Sequence, residues 1–280
     1  MDDTWSPRDV AGVLRPPSAE DDKYSRGVLG VRTGSVEYPG AAVLGVEAAW
    51  RTGLGMVRYL GTARDAVLAR RPETVAADGR VQAWLIGSGT DAASRPDDET
   101  TALRGILSGD LPVVVDAGSL DLAPDARAPI VVTPHDREHE RLRTALGLGE
   151  MEDRSEAAAD TARALGNVVL LKGSVTIVAD PGGRVILVDA ATPWLATAGT
   201  GDVLGGVLGA LLAGAPEGAD LAAIAASAAW LHGRAGALAA AAHAPARSLA
   251  AARSGVAGGP ITALDVAEAL PRAVAEVLAG

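Results

Sequence analysis

The chain has 280 residues, 48% of them hydrophobic, which is enough to fold one large α/β domain around a substantial core. Its net charge of -10 argues against a general nucleic-acid or anionic-membrane surface and makes any anionic ligand dependent on a specific nest. With no cysteine, disulfides, thiolate catalysis and thiolate metal sites are excluded, and the four histidines show no zinc-binding spacing.

Residues 1–22 contain Pro7, Pro16, Pro17 and an acidic Glu20-Asp21-Asp22 run, and read as a flexible arm without a regular element. The N-terminus has no basic segment followed by an apolar stretch, so no secretory signal is read and a cytoplasmic protein is expected. A strand over 27–32 breaks at Gly34. Pro39 then opens a helix through Trp50, which Gly53 and Gly55 close before a strand at 56–60. A short helix over 64–69 leads to a strand at 81–86 that runs into Gly87-Ser88-Gly89-Thr90, followed by a helix near 97–108. Strands at 112–116 and 130–133, helices at 136–146 and 155–165, and a strand at 167–172 continue the alternation.

Two strands, 176–179 and 184–188, flank Pro181-Gly182-Gly183 and read as an antiparallel hairpin. The final third is helical. Its runs from 203 and 221 are rich in Ala and Gly with polar interruptions, which fits buried helices and not membrane spans. Thr262 with Asp265 caps a last helix. Short apolar strands alternating with helices predict an α/β fold, a central mostly parallel sheet flanked by helices on both faces, in one domain over 23–280.

Ligands of such sheets bind beyond the carboxyl ends of the strands. Four features lie there: Gly87-Ser88-Gly89, Thr133-Pro134-His135, Lys172-Gly173-Ser174, and Gly199-Thr200-Gly201-Asp202 before an apolar helical run. The last combines a small-residue turn with free N–H groups at a helix start, a nest for an anion. Asp202 in that place is either a first-turn acid stabilised by the helix dipole or a catalytic carboxylate. Gly87-Ser88-Gly89 alone reads equally as a turn, and His135 as a loop residue. Of 25 basic residues only Lys23 and Lys172 are lysines, which points to places where a compact ammonium is needed. Lys172, ending a buried strand, requires an anionic partner such as phosphate. No Gly-x-x-x-x-Gly-Lys-Ser/Thr loop is present.

Taken in order, Asp22-Lys23-Tyr24-Ser25-Arg26-Gly27, Tyr38-Pro39-Gly40-Ala41-Ala42, Arg51-Thr52-Gly53-Leu54-Gly55, Thr133-Pro134-His135, Leu171-Lys172-Gly173 and Ala196-Thr197-Ala198-Gly199-Thr200-Gly201-Asp202-Val203-Leu204 closely resemble the ADP-dependent NAD(P)H-hydrate dehydratases of the ribokinase-like superfamily. The chain departs from that pattern at 87–91, at Asp116-Ala117-Gly118 and at 189–193.

The resemblance implies a lyase that repairs nicotinamide nucleotides, removing water from the S epimer of NAD(P)H hydrate while ADP becomes AMP and phosphate. It implies Asp202 as the catalytic base in contact with the hydrate. The other hydrate-binding positions it implies are Ala42, or Ala41 in an equally possible register, with Gly89 and His135. Lys172, Gly173, Ser174, Val175 and Thr176, with Gly199, Thr200 and Gly201, are the nucleotide-binding ones. Mg²⁺ is expected to neutralise the phosphates, without an all-protein cage. A homotetramer is implied, and the epimerase domain that many relatives carry is expected on a separate chain. The alternative is a small-alcohol kinase of the same superfamily, such as a hydroxyethylthiazole or hydroxymethylpyrimidine kinase.

Overall fold

The computed structural model describes residues 3–243 and 258–280. Its strands are β1 (Asp3–Thr4), β2 (Val28–Arg32), β3 (Met56–Tyr59), β4 (Ala83–Ile86), β5 (Val113–Val115), β6 (Ile130–Val132), β7 (Val168–Leu171), β8 (Thr176–Ala179) and β9 (Val185–Val188). They form one sheet in the order β1-β9-β8-β7-β6-β5-β4-β2-β3. β8 alone runs antiparallel to its neighbours among the described strands, and with β9 it makes the expected hairpin.

The helices are α1 (Pro7–Val13), α2 (Pro39–Thr52), α3 (Arg64–Arg70), α4 (Asp97–Leu107), α5 (Asp136–Ala145), α6 (Arg154–Leu165), α7 (Thr200–Gly214), α8 (Leu221–Ala242) and α9 (Ala263–Ala279). Strand side chains alternate between two cores, as the pleat requires. Leu29, Val31, Leu85, Val114, Val131 and Leu170 face α2, α7, α8 and α9. Ile86, Val113, Val115, Ile130, Val132 and Leu171 face α4, α5 and α6. Burial on both faces explains the nearly unbroken apolar strands.

With no Phe, the first core is closed by small residues that let helices approach. A Cβ on Gly206 of α7 would lie 2.2 Å from the Gly45 carbonyl oxygen of α2, so these two helices touch backbone to backbone. α9 starts at a complete capping box: Thr262 accepts from the Asp265 N–H, and Asp265 accepts from the Thr262 N–H.

The N-terminal segment departs from the sequence expectation. Residues 3–13 are not an irregular arm, because β1 pairs in parallel with β9 and α1 packs on α8. Ser6 and Asp9 form a capping box around Pro7 at the first helical position, a place where the missing proline N–H has no consequence. Val10 is fully buried, and the Trp5 indole N–H donates to Ser227 Oγ at 3.0 Å.

A second anchor ties α2 to α3. Glu47 is completely buried and accepts from Arg51 Nε at 2.6 Å, from Arg71 through both Nε and Nη2, and from Arg70 at 3.3 Å. Burial alone would raise its pKa, but the three guanidinium groups outweigh burial and hold it at about 2. Glu47→Gln leaves these arginines facing a neutral group, and because their own ends reach solvent the expected loss is about 3 kcal/mol, the lower end for breaking a buried pair. A folded pKa below the unfolded one places this contribution above pH 4.5 and removes it as pH falls through about 2. Urea unfolding of both proteins at pH 7 and near pH 2 measures it, with the gap closing at the lower pH.

Candidate active site

Three neighbouring strands end in polar residues: β5 in Asp116, β6 in Thr133 and β7 in Lys172. Each lies an even number of residues from a side chain in the α7-facing core, Val114, Val131 and Leu170, so the pleat sends all three toward that face. There they meet. Asp116 is only 3% exposed; its Oδ1 accepts from Lys172 Nζ at 2.9 Å and from Thr133 Oγ1 at 2.9 Å, while Oδ2 accepts from Ser88 Oγ at 2.9 Å. Glu138 Oε2, from the first turn of α5, stands 3.7 Å from the same ammonium. Burial works against the Lys172 charge, but Asp116 and Glu138 outweigh it and raise its pKa.

Asp202 approaches from the first turn of α7. Gly199, the N-cap, has φ +89°, a left-handed conformation that favours glycine. A Cβ there would lie 2.5 Å from Leu44 Cδ1. Burial first, and then the Asp116 charge, push the Asp202 carboxyl up to about 7, against the opposing pull of Lys172. A carboxyl poised there can accept a proton at neutral pH.

The cluster is flanked by two cavities. One, of about 580 Å³, runs along Lys172, Gly173, Ser174, Val175 and Thr176 to Thr200 and Gly201, with apolar walls from Val188, Pro193, Leu195, Leu204 and Ala229. Apolar walls ending at a lysine and a helix N-terminus suit a nucleotide, base in the slot and phosphates at the charged end. The other, of about 540 Å³, is lined by Tyr38, Gly89, Thr90, Gly118, Glu138 and Arg141. The Lys172–Glu138 contact joins the edges of the two.

Most sequence-predicted residues converge here. Lys172 through Thr176 line the first cavity with Thr200 and Gly201, and Gly199 caps the helix behind them. Gly89 lines the second, and a Cβ on it would be 2.3 Å from the Ala41 Cβ, so these two positions adjoin; Ala42 packs instead on Gly34. His135 is the N-cap of α5, its Nδ1 accepting from the Glu138 N–H at 3.4 Å, with the ring half-exposed to solvent. Lys23 is not at the site. It precedes β2 at the opposite, amino end of the sheet, where its exposed ammonium lies 5.3 Å from the Tyr24 ring centre.

Four residues have contacts at the site that the sequence did not show: Ser88, Asp116, Arg154 and His232. Ser88 and Asp116 become partners only once β4 and β5 are neighbours. Arg154 holds the loop after β7, donating to the Lys172 carbonyl at 2.9 Å and the Val175 carbonyl at 3.3 Å, while paired with Asp136 at 3.0 Å. His232 of α8 lines the nucleotide-side cavity, bonded to the Thr200 backbone; burial lowers its pKa to about 4 and keeps it neutral.

The sheet order and the helices that flank it define a ribokinase-like α/β fold. Residues 29–254 match the NAD(P)H-hydrate dehydratase family, and the chain belongs to it. It is 50% identical over 225 residues to the bifunctional NAD(P)H-hydrate repair enzyme Nnr of Mycobacterium tuberculosis, covering 75% of this chain and 46% of the relative. The chain thus spans about half the length of that protein. It is 34% identical over 245 residues to the ADP-dependent (S)-NAD(P)H-hydrate dehydratase of Neisseria meningitidis, covering 80% of each. A crystal structure of the ADP/ATP-dependent NAD(P)H-hydrate dehydratase of Bacillus subtilis, co-crystallised with ATP and Mg²⁺, superposes with a TM-score of 0.81 at 25% identity, over 99% of both chains.

The raised Asp202 pKa carries a stability signature. Because the folded value, about 7, exceeds the ordinary 3.8, the folded protein binds this proton more tightly, and stability falls as pH rises from about 4 through about 7. Asp202→Asn removes the buried charge. The variant is expected to melt about 3 °C or more above the wild type at pH 8.5 and level with it at pH 4, in paired thermal scans.

Proposed function

We propose that this protein dehydrates the S epimer of NAD(P)H hydrate to NAD(P)H, converting ADP to AMP and phosphate. The observation that carries the reading is the Lys172 ammonium, held 2.9 Å from Asp116 and 3.7 Å from Glu138 where the two cavities adjoin, with Asp202 in the first turn of α7.

The substrate's ring hydroxyl is a poor leaving group until it is phosphorylated. Asp202 takes the hydroxyl proton, and the freed oxygen attacks the terminal phosphorus of ADP as AMP departs. The backbone N–H groups at Gly199, Thr200 and Gly201 and the Lys172 ammonium stabilise charge on the transferring group. The ring nitrogen lone pair then expels the new substituent as phosphate, and loss of a proton from the adjacent ring carbon restores the reduced nicotinamide. ADP occupies the cavity from Lys172 to Thr176, and the hydrate lies at Ala41, Ala42, Gly89 and His135.

Among the described residues no group of three or more His, Asp or Glu side chains is arranged to hold a metal ion, and Asp116 and Glu138 are turned toward Lys172. In this reading the ion comes with the phosphates as part of the nucleotide substrate. The homotetramer and the cytoplasmic location belong to the same proposal; no described helix is long and apolar enough to cross a membrane.

The kinase alternative would leave the phosphoryl group on its product. Incubation with NADH hydrate, ADP and Mg²⁺ is expected to restore the absorbance of reduced nicotinamide with one AMP per NADH. No recovery with either ADP or ATP overturns the dehydratase reading, and a stable phosphate ester supports the kinase. Asp202→Asn is expected to lower kcat by about 10²–10⁴-fold while ADP binding, followed by calorimetry, stays within a few-fold of wild type.

A further inference from the structure

Asp116 has a place in the fold that the reaction above does not yet use. It is buried at the end of β5 and held by donors from three other strand ends, Ser88, Thr133 and Lys172. Buried ion pairs contribute little net stability, because removing two charges from water offsets their attraction, so core building alone gives no reason for this group. A second observation concerns the backbone. Ala117, the next residue, has φ +43°, the one positive φ at a non-glycine position among the described residues. An alanine there costs about 1 kcal/mol, and such strain persists only where the surroundings impose it, most often at functional sites.

The surroundings do impose it. A Cβ on Gly87 would sit 2.1 Å from the Asp116 carbonyl oxygen, and one on Gly118 would sit 2.3 Å from the Thr90 carbonyl oxygen. The loop after β4 therefore grips residues 116–118 on both sides. The gripped carboxylate in turn decides where the lysine goes. Lys172 Nζ is within 4 Å of Asp116 and Glu138, and among the described ion pairs it makes none with Asp202.

We propose that Asp116 is the positioning residue of this site: it holds the Lys172 ammonium at the junction of the two cavities and so withholds it from Asp202, leaving that carboxylate basic enough to take the substrate's proton. An ammonium paired directly with Asp202 would make it a weak base; claimed by Asp116, the same ammonium faces the phosphoryl group instead. The groups that face Asp202 are Asp116 from β5 and Lys172 from β7, with Glu138 of α5 and the neutral His232 of α8 lying beyond the lysine. The Asp116 charge raises the Asp202 carboxyl, and Lys172 is the opposing charge.

This inference rests on Asp202 being the base, and its test separates the two. The pH profile of kcat/KM for NADH hydrate is recorded at saturating ADP and Mg²⁺. Asp116→Asn keeps the size of the side chain and removes its charge. Its acid limb is expected about one pH unit or more below that of the wild type, with a plateau at least ten-fold lower. A folded Asp116→Asn protein whose limb does not move overturns the positioning role. Ser88→Ala and Thr133→Val each remove one hydrogen bond to Asp116 and keep its charge. They are expected to lower the plateau several-fold with the limb unmoved, and a full plateau in both overturns the proposal even where Asp116→Asn fails to fold. Asp202→Asn with wild-type turnover defeats the base assignment itself. An inactive Asp202→Asn beside an unmoved Asp116→Asn limb defeats only the positioning role.

Discussion

The backbone contact between α2 and α7 is the constraint from which the site follows. With no Phe and few aromatics, this core cannot be filled by large side chains between widely spaced helices, so the helices must come together. Gly206 against the Gly45 carbonyl is the point of approach, and a Cβ on Gly45 would lie 3.5 Å from the Asp202 carbonyl oxygen. The first turn of α7 is therefore located by packing, before any ligand is present. On the other side of α7, Gly205 and Gly209 let the helix settle onto Leu85 and Leu29. A bulkier residue at these positions would lift the helix and carry Asp202 away from the strand ends.

Once α7 is fixed, the sheet supplies the rest. β5, β6 and β7 are consecutive in space as well as in sequence, so residues 17 and 56 positions from Asp116 arrive beside it. The local chemistry is an unequal one, with Asp116, Glu138 and Asp202 around a single ammonium. Burial first, and then the like charge of Asp116, favour the protonated form of Asp202, while Lys172, engaged by Asp116, opposes them.

The sequence made the fold legible because its periods are clean. The unbroken apolar runs of β5 and β6, buried on both faces, and the Thr262–Asp265 box are visible in the residue pattern as they are in space. The place of Asp202 in the first turn of α7 was legible for the same reason, since a small-residue turn before an apolar helix is a local signal. Residues 3–13 were misread because prolines suggested irregular chain. The capping pattern of Ser6 and Asp9 around Pro7 was present, but what holds this segment, the Trp5 contact to Ser227 and the pairing with β9, is remote in sequence. Lys23 was singled out by a count of lysines, which holds no information about which end of the sheet a residue occupies. Asp116 and Arg154 act through neighbours brought together only by strand order, so no local motif marks them.

Charge balance places one more condition on the proposed chemistry. Among the described residues lining the nucleotide-side cavity, Lys172 is the sole cation, with Asp189 also present and His232 neutral. A nucleoside diphosphate bound as a bare anion would add several charges beside three carboxylates, against a repulsion that one shared ammonium cannot cancel. Two sources of relief remain within the reading: a divalent cation carried on the phosphates, and a protonated Asp202 during binding. The second follows from the residues themselves, since an anion entering beside Asp202 raises its pKa further and favours the neutral form. Deprotonation then coincides with transfer of charge from the hydroxyl oxygen to the phosphoryl group. In the proposed reaction this shortage of positive charge favours nucleotide binding to the protonated site, with proton abstraction after.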